Sequence, residues 1–346
     1  MNKNKQKPNS QIKRVLEITD EFLAIPSVIG NEKPFLDYLN KRISALGYQT
    51  TQTDKYLVIK PKYAQNKPKY LFSAHIDRHG LILNEEQNLE YIAYYYKKQL
   101  GLEFKRDTPD FYLSCAQRHT NEKISSYNPI TGKKLNEYKT KRYELDWKKK
   151  NVFFNLNKEL ITKKEQIFMF DSKITINKNE FFAQIDNVIS AAVLFYLLEE
   201  NKITQEIIFT TREEIGKSYL NVIDYLKKEK KEKKELDLIV LDTSPYENFD
   251  NKETGFLVLR EGDENGNFKL ELVNLIKSFL DSSSIPYYFK SSKNGMTELG
   301  RISSQTQGKL NGATLQLPSK NYHTTYETST FKSLENYIKT IKELNK

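Results

Sequence analysis

Residues 71–80 read LFSAHIDRHG. An apolar run ends at Ala74, and His75, Asp77 and His79 follow on alternate positions, which share one face if the strand continues. Two readings compete here. The three are polar loop residues, or His75 binds a metal while Asp77 steers its ring. Upstream, SQIKRVLEITDEFLAI (10–25) carries a helical apolar stripe through Ile12, Val15, Leu16, Ile18, Phe22 and Leu23. NEKPFLDYLNKRISALG (31–47) reads as a second helix, with Asn31 suited to the N-cap and Gly47 to the C-terminal stop. KYLVIK (55–60) and KYLFSA (69–74) read as strands.

Beyond this point the pattern breaks. From about Ile82 to Glu180, short Tyr- and Phe-rich pieces (LEYIAYYY, DFYLSCAQ, NVFFNL, QIFMF, SKITI) alternate with polar turns such as NPITGKK. This predicts a small β domain of short strands. After Asp186 helix and strand alternate again: VISAAVLFYLLEE (helix), EIIFTT (strand), SYLNVIDYLKKEK (helix), LDLIVL (strand), TGFLVL (edge strand), NFKLELVNLIKSFLDSS (helix), IPYYFK and ATLQL (strands), and the terminal helix FKSLENYIKTIKELNK. Such alternation predicts an α/β layer structure. The expected division is residues 1–82 plus 181–346 for the α/β domain, with 83–180 inserted after the strand that carries His75.

Composition narrows the function. The 346 residues suffice for one large core or two smaller ones. No apolar run approaches the roughly 18 residues of a spanning helix, so no membrane partner is expected. The basic N-terminus is followed by VLEITDEFLAI, interrupted by Glu17, Asp20 and Glu21, which argues against a secretory signal. Cys115 is the only cysteine, so no internal disulfide can form. Both point to the cytoplasm. The net charge of +10 raises nucleic-acid binding. However, the lysines are spread among Glu, Asn and Tyr, and the densest run, KKEKKEKKE (227–235), has acidic residues within it. That run and WKKKN (147–151) read as solvated segments, and no nucleic-acid partner is expected.

Metal-type side chains follow several buried strands. His75 and Asp77 follow YLFSA, Glu213 and Glu214 follow EIIFTTR, Asp242 follows LDLIVL, and His323 lies beyond ATLQLP. Asp186 precedes the apolar helix in AQIDNVIS. In open α/β sheets, sites form beyond the carboxyl ends of strands. Taken singly, each has a plainer role, such as a helix cap for Asp186 or a charged first turn for Glu213 and Glu214. Together, two His and three carboxylates exceed one four-coordinate site and fill two if one carboxylate bridges. A co-catalytic pair of divalent ions suits hydrolysis. Of the adjacent glutamates, one can serve as ligand and the other as base. Zinc suits the donors; cobalt or manganese also fits.

The order of AHIDRHG, IDNVIS, TTREEIG, VLDTSPY and NYHTTYE resembles the five metal-site motifs of the tetrahedral aminopeptidase family, dinuclear metallopeptidases of glutamyl and leucyl type. LAIPSVIGNE, LREGD and NGMTELGR extend the likeness across nearly the whole α/β part. The resemblance implies a three-layer α/β/α catalytic domain with a small inserted β-barrel serving substrate access or assembly. It implies one metal held by His75, Asp186 and Asp242, and another by Asp186, Glu214 and His323. Asp186 would bridge, Glu213 would be the general base, and Asp77 would orient His75. It further implies aminopeptidase activity on short peptides and a dimer-based homo-oligomer, up to a dodecamer. The departures are RH at 78–79, where the family has an acidic and a non-His residue, Val188 in place of Arg, and Glu298 in place of Asp. Arg260, Thr297 and Glu298 are candidate substrate contacts. Alternatives from the same site are an aspartyl-type aminopeptidase or a deacylase. From another class, the alternative is a non-catalytic binding protein on the scaffold.

Overall fold

The computed structural model describes residues 8–62, 67–102, 108–146, 148, 151–160, 167–231, 236–246, 255–290 and 295–346. Much of WKKKN and the end of KKEKKEKKE lie outside them. The chain begins with α1 (Ser10–Leu23), α2 (Lys33–Ala45), β1 (Gln49–Gln52), β2 (Tyr56–Lys60) and β3 (Tyr70–His75). It continues through β4 (Gly80–Leu83), β5 (Leu89–Tyr91), α3 (Ile92–Gln99), α4 (Pro109–Arg118), β6 (Lys123–Tyr127), β7 (Lys134–Asp146), β8 (Asn151–Leu156) and β9 (Ile167–Phe170). Then come β10 (Thr175–Asn177), β11 (Glu180–Ala183), α5 (Val188–Glu199), β12 (Glu206–Thr210), α6 (Ser218–Lys231), β13 (Asp237–Pro245) and β14 (Leu257–Arg260). The last stretch holds β15 (Gly262–Asp263), β16 (Gly266–Asn267), α7 (Leu270–Ser282), β17 (Tyr287–Lys290), α8 (Glu298–Gln305), β18 (Gly312–Ser319), β19 (Glu327–Thr330) and α9 (Phe331–Leu344).

An eight-stranded sheet in the order β1-β2-β12-β3-β13-β18-β14-β17 forms the middle layer. Its central strands β12, β3, β13 and β18 run parallel. Strands buried on both faces need apolar side chains on both. Leu57, Ile59, Phe72, Ala74, Ile207, Phe209, Ile239 and Leu241 enter a core with α1, α2, α5, α7 and α9. Tyr56, Val58, Leu71, Ile208, Leu238 and Val240 face the other way, toward Val222 and Tyr225 of α6 and Leu299 and Ile302 of α8. The result is the three-layer α/β/α domain. Helix α5 is buried over nearly its whole length, which explains its unbroken apolar sequence.

Strands β4-β5-β8-β7-β6-β9 close a barrel with its own core, including Leu81, Tyr91, Ile124, Val152, Phe168 and Phe170. Two pieces read as strands are partly or wholly helical. LEYIAYYY is β5 followed by α3, and DFYLSCAQ lies in α4. Thr108 caps α4 through its side chain, and Pro109 occupies the first turn. Their aromatic residues reflect packing against the barrel rather than strand pairing. The N-cap of α2 is Glu32, not Asn31, and the helix starts at Lys33–Pro34. Gly47 does stand just past the helix end at φ +84°, which a glycine adopts freely. Among the described residues, no helix is long and apolar enough to cross a membrane.

Phe72 is fully buried at the centre of the sheet. Phe72→Ala is expected to destabilise the protein by about 3–5 kcal/mol, read as a lowered urea midpoint with an unchanged slope.

Candidate metal centre

The sheet order decides which side chains meet. β12 pairs with β3 so that Thr210 lies beside His75, and β13 pairs with β3 on the other side up to Val240 opposite Ser73. The turn after β12 therefore brings Glu213 and Glu214 to one flank of His75, and Asp242 reaches the other. A small sheet, β10-β11-β19, delivers the rest. β11 pairs with β19 so that Ala183 faces Glu327, which sets Asp186 near the loop of His323.

Two buried carboxylates fix these loops. Asp77 accepts the backbone N–H of Glu213 at 2.9 Å on Oδ1 and that of Glu214 at 3.0 Å on Oδ2. Glu327 accepts the N–H of Asp186 at 2.8 Å on Oε2 and that of His323 at 2.7 Å on Oε1. His323 sits at φ +60°, an unfavoured conformation for a side chain with a Cβ, and this bond holds it there. Asp77 also bears on His75. The ring Nδ1 lies 3.3 Å from the Asp77 carbonyl oxygen and 3.6 Å from Oδ1. A deeper glutamate, Glu32, is buried near Asp77, and burial raises its pKa to about 8.

The donors converge in two groups. His75 Nε2 stands 3.3 Å from Asp186 Oδ1 and 3.4 Å from Asp242 Oδ1. His323 Nε2 stands 3.4 Å from Asp186 Oδ2 and 3.5 Å from Glu214 Oε2. Donors about 2.0–2.1 Å from one tetrahedral zinc would lie about 3.3–3.4 Å apart. Asp186 thus presents one oxygen to each imidazole. Both oxygens are buried without an aligned hydrogen bond, as is Glu214 Oε1. Asp186 does not cap α5, whose N-cap is Asn187. Buried polar atoms left unsatisfied are costly, and a cation at each group would satisfy them.

The electrostatics agree. Burial raises the pKa of Glu214 to about 8, with Asp186 adding to it. Burial also raises Glu213 well above the carboxylate range, reinforced by Asp242, Glu214 and Asp77. Asp242 and Glu327 shift the same way, mainly through burial. Burial would raise Asp186 too, but His323 and His75 together hold it well below the usual range. Negative charge is in excess here, which suits divalent cations. The residues present fit two of them.

The remaining candidates are less central. Arg260 is buried, donates through Nε to Gln316 Oε1 at 2.7 Å, and feels the charge of Asp242. Thr297 caps α8 and donates to Asp263 Oδ2 at 2.9 Å. Glu298 accepts from Ser73 and from Thr210 inside the sheet. The side-chain oxygens of Thr297 and Glu298 thus have partners within the fold. Sequence reasoning did not single out Glu327, although NYHTTYE ends on it. Its role lies in which amides it meets, and that depends on β11 pairing with β19. Glu327→Gln keeps one acceptor oxygen but turns an N–H toward a backbone N–H. It is expected to weaken metal binding by about 10–100-fold without unfolding the chain, checked by titration against a chromogenic chelator.

The chain matches the family description M42 glutamyl aminopeptidase over residues 156–340, more than half its length. No curated protein sequence matches it. Solved structures of the same fold include a TET aminopeptidase from a marine-sediment Thaumarchaeota archaeon, with 13% identity, 97% of each chain covered and a TM-score of 0.73. The TET1 peptidase of Pyrococcus horikoshii has 16% identity, with 97% of this chain and 99% of that chain covered and a TM-score of 0.67. An M18-family aminopeptidase from Thermotoga maritima has 11% identity, with 99% and 98% covered and a TM-score of 0.63. The matched residues include Asp186, Glu213, Glu214, Asp242 and His323, and the chain belongs to the M42 glutamyl aminopeptidase family and with it to the metal-dependent aminopeptidases.

Proposed function

We propose that the protein removes N-terminal residues from short peptides with two divalent ions, one held by His75, Asp186 and Asp242 and the other by Asp186, Glu214 and His323. The observation that carries this is Asp186, whose two buried oxygens face different imidazoles at 3.3 and 3.4 Å. Zinc suits the nitrogen and carboxylate donors, with cobalt or manganese as alternatives. Ions bound there supply Lewis acidity to the scissile carbonyl and an activated water as nucleophile.

The chain's own residues do the rest. Glu213 takes a proton from the attacking water at its carboxylate and delivers it to the leaving amine. Its buried, carboxylate-rich surroundings raise its proton affinity above that of an ordinary carboxylate, the direction a general base calls for. Asp77 keeps Glu213 and Glu214 in fixed relation by holding both amides. It also orients His75. Arg260 adds positive charge beside Asp242 and is our candidate for a substrate contact.

In this reading the barrel from β4 to β9 is an inserted domain that governs access or assembly and the chain on either side of it is the catalytic domain, so the expected bounds at 83 and 180 move to the barrel's edges. Pyrococcus horikoshii TET1 peptidase can assemble into a tetrahedron or a large octahedral shell, and one structure of it is a dodecamer. A comparable dimer-based assembly is proposed for this chain. Its lone cysteine, Cys115, is free and buried, in keeping with a cytoplasmic protein.

A panel of aminoacyl nitroanilides tests the activity. Release of nitroaniline should stop after chelation and return with zinc, cobalt or manganese. Cleavage of acylated but not free-amine substrates would contradict it. Glu213→Gln should retain both metals and lose about 10²–10⁴-fold in kcat. Wild-type turnover by this variant would remove Glu213 from the proton path.

A further inference from the structure

His79 has no place in the ligand set above, yet it lies against it. The residue is 5% exposed, at the junction of β3 and the first barrel strand β4. Its Nε2 is 2.9 Å from Glu214 Oε2, the same oxygen that lies 3.5 Å from His323 Nε2. The rings of His79 and His323 meet edge to face, with centroids 4.6 Å apart. A ring nitrogen of His79, one of His323 and a Glu214 oxygen all fall within 4.8 Å of one another.

The contact with Glu214 is short but not aligned as a hydrogen bond. Both ring nitrogens of His79 are buried without an aligned hydrogen bond. A ring nitrogen and a carboxylate oxygen that meet without an aligned hydrogen bond can both face a cation instead. A purely packing role accounts poorly for this. The ring stacks on Tyr91 at 5.3 Å, and a phenyl group would do so without burying two ring nitrogens that lack an aligned hydrogen bond. The stack continues through Tyr91 to His119 at 5.2 Å and on to Phe170 at 4.4 Å, which fixes the His79 ring from the barrel side. On the backbone, the His79 carbonyl accepts from Gln184 Nε2 at 3.2 Å.

We infer that His79 is a further ligand of the ion shared by Asp186, Glu214 and His323. This deepens the dinuclear reading and rests on it. That site then offers two imidazoles and two carboxylates as donors, and the other offers one imidazole and two carboxylates. The nitrogen-rich site is the tighter one for zinc and fills first.

The test uses full-length protein stripped by chelation and reloaded. Wild type should take up two zinc ions with separable affinities. His79→Phe keeps the stacking on Tyr91 but cannot ligate. It should weaken the tighter site by about 100-fold or more, as the loss of a direct donor should at least match that of an outer-shell partner, and leave the weaker one unchanged. X-ray absorption of the wild type loaded with one equivalent of zinc gives a second readout that needs no variant. Two imidazoles on the ion are expected. Two unchanged affinities in His79→Phe, or a single imidazole in the one-equivalent sample, would overturn the role of His79 and leave the dinuclear site standing. Uptake of fewer than two ions by the wild type would overturn both.

Discussion

The structure is organised around a cluster of carboxylates removed from water. Asp77, Asp186, Glu213, Glu214, Asp242 and Glu327 all lie within or directly beneath one site. Buried charge is tolerated only when hydrogen bonds or opposite charge offset it. Two members are used structurally, since Asp77 and Glu327 each accept two backbone N–H groups. Those four amides belong to Glu213, Glu214, Asp186 and His323. The loops that carry Asp186, Glu214 and His323 are thereby each tied to a carboxylate. Asp186 and Glu214 leave buried oxygens unsatisfied beside His75 and His323, and the proposed ions complete the balance.

The three-layer domain gives this cluster a rigid frame. His75 and Asp242 sit on neighbouring parallel strands whose side chains are buried on both faces, so their separation is set by sheet geometry rather than by a loop. The barrel has a separate core and joins the frame between β3 and β10. It reaches the site through His79, backed by Tyr91 and His119. Arg78, next to it, is fully buried and donates to Ser27 Oγ, to the carbonyl oxygens of Leu23 and Ile25, and to Met169. The RH pair at 78–79 thus does two tasks at the seam. One residue stitches the α1–α2 connection to the barrel, and the other turns toward the site.

Much of this was legible from the residues. Parallel strands buried on both faces appear as unbroken apolar runs, as YLFSA, EIIFT and LDLIVL do, and the polar residues that follow them mark the carboxyl edge of the sheet. The barrel was harder. Its longest strand, β7, is largely exposed and written in Lys, Glu and Tyr, so it carries little periodic signal. The aromatic pieces in α3 and α4 suggested strands because Tyr and Phe favour both sheets and packed helix faces. Glu327 and the clamp made by Asp77 were hidden for a different reason. Their partners are backbone amides brought close by strand pairing, and no side-chain pattern encodes that. In the same way, the position of His79 next to Glu214 depends on how the barrel leaves the sheet.

The most direct measurement of the central claim is anomalous diffraction from crystals of the zinc-loaded protein. Two peaks about 3.5–4 Å apart are expected, one on either side of the Asp186 carboxylate, with His75 and Asp242 around the first and Glu214 and His323 around the second. A single peak, or zinc bound away from Asp186, would contradict the account.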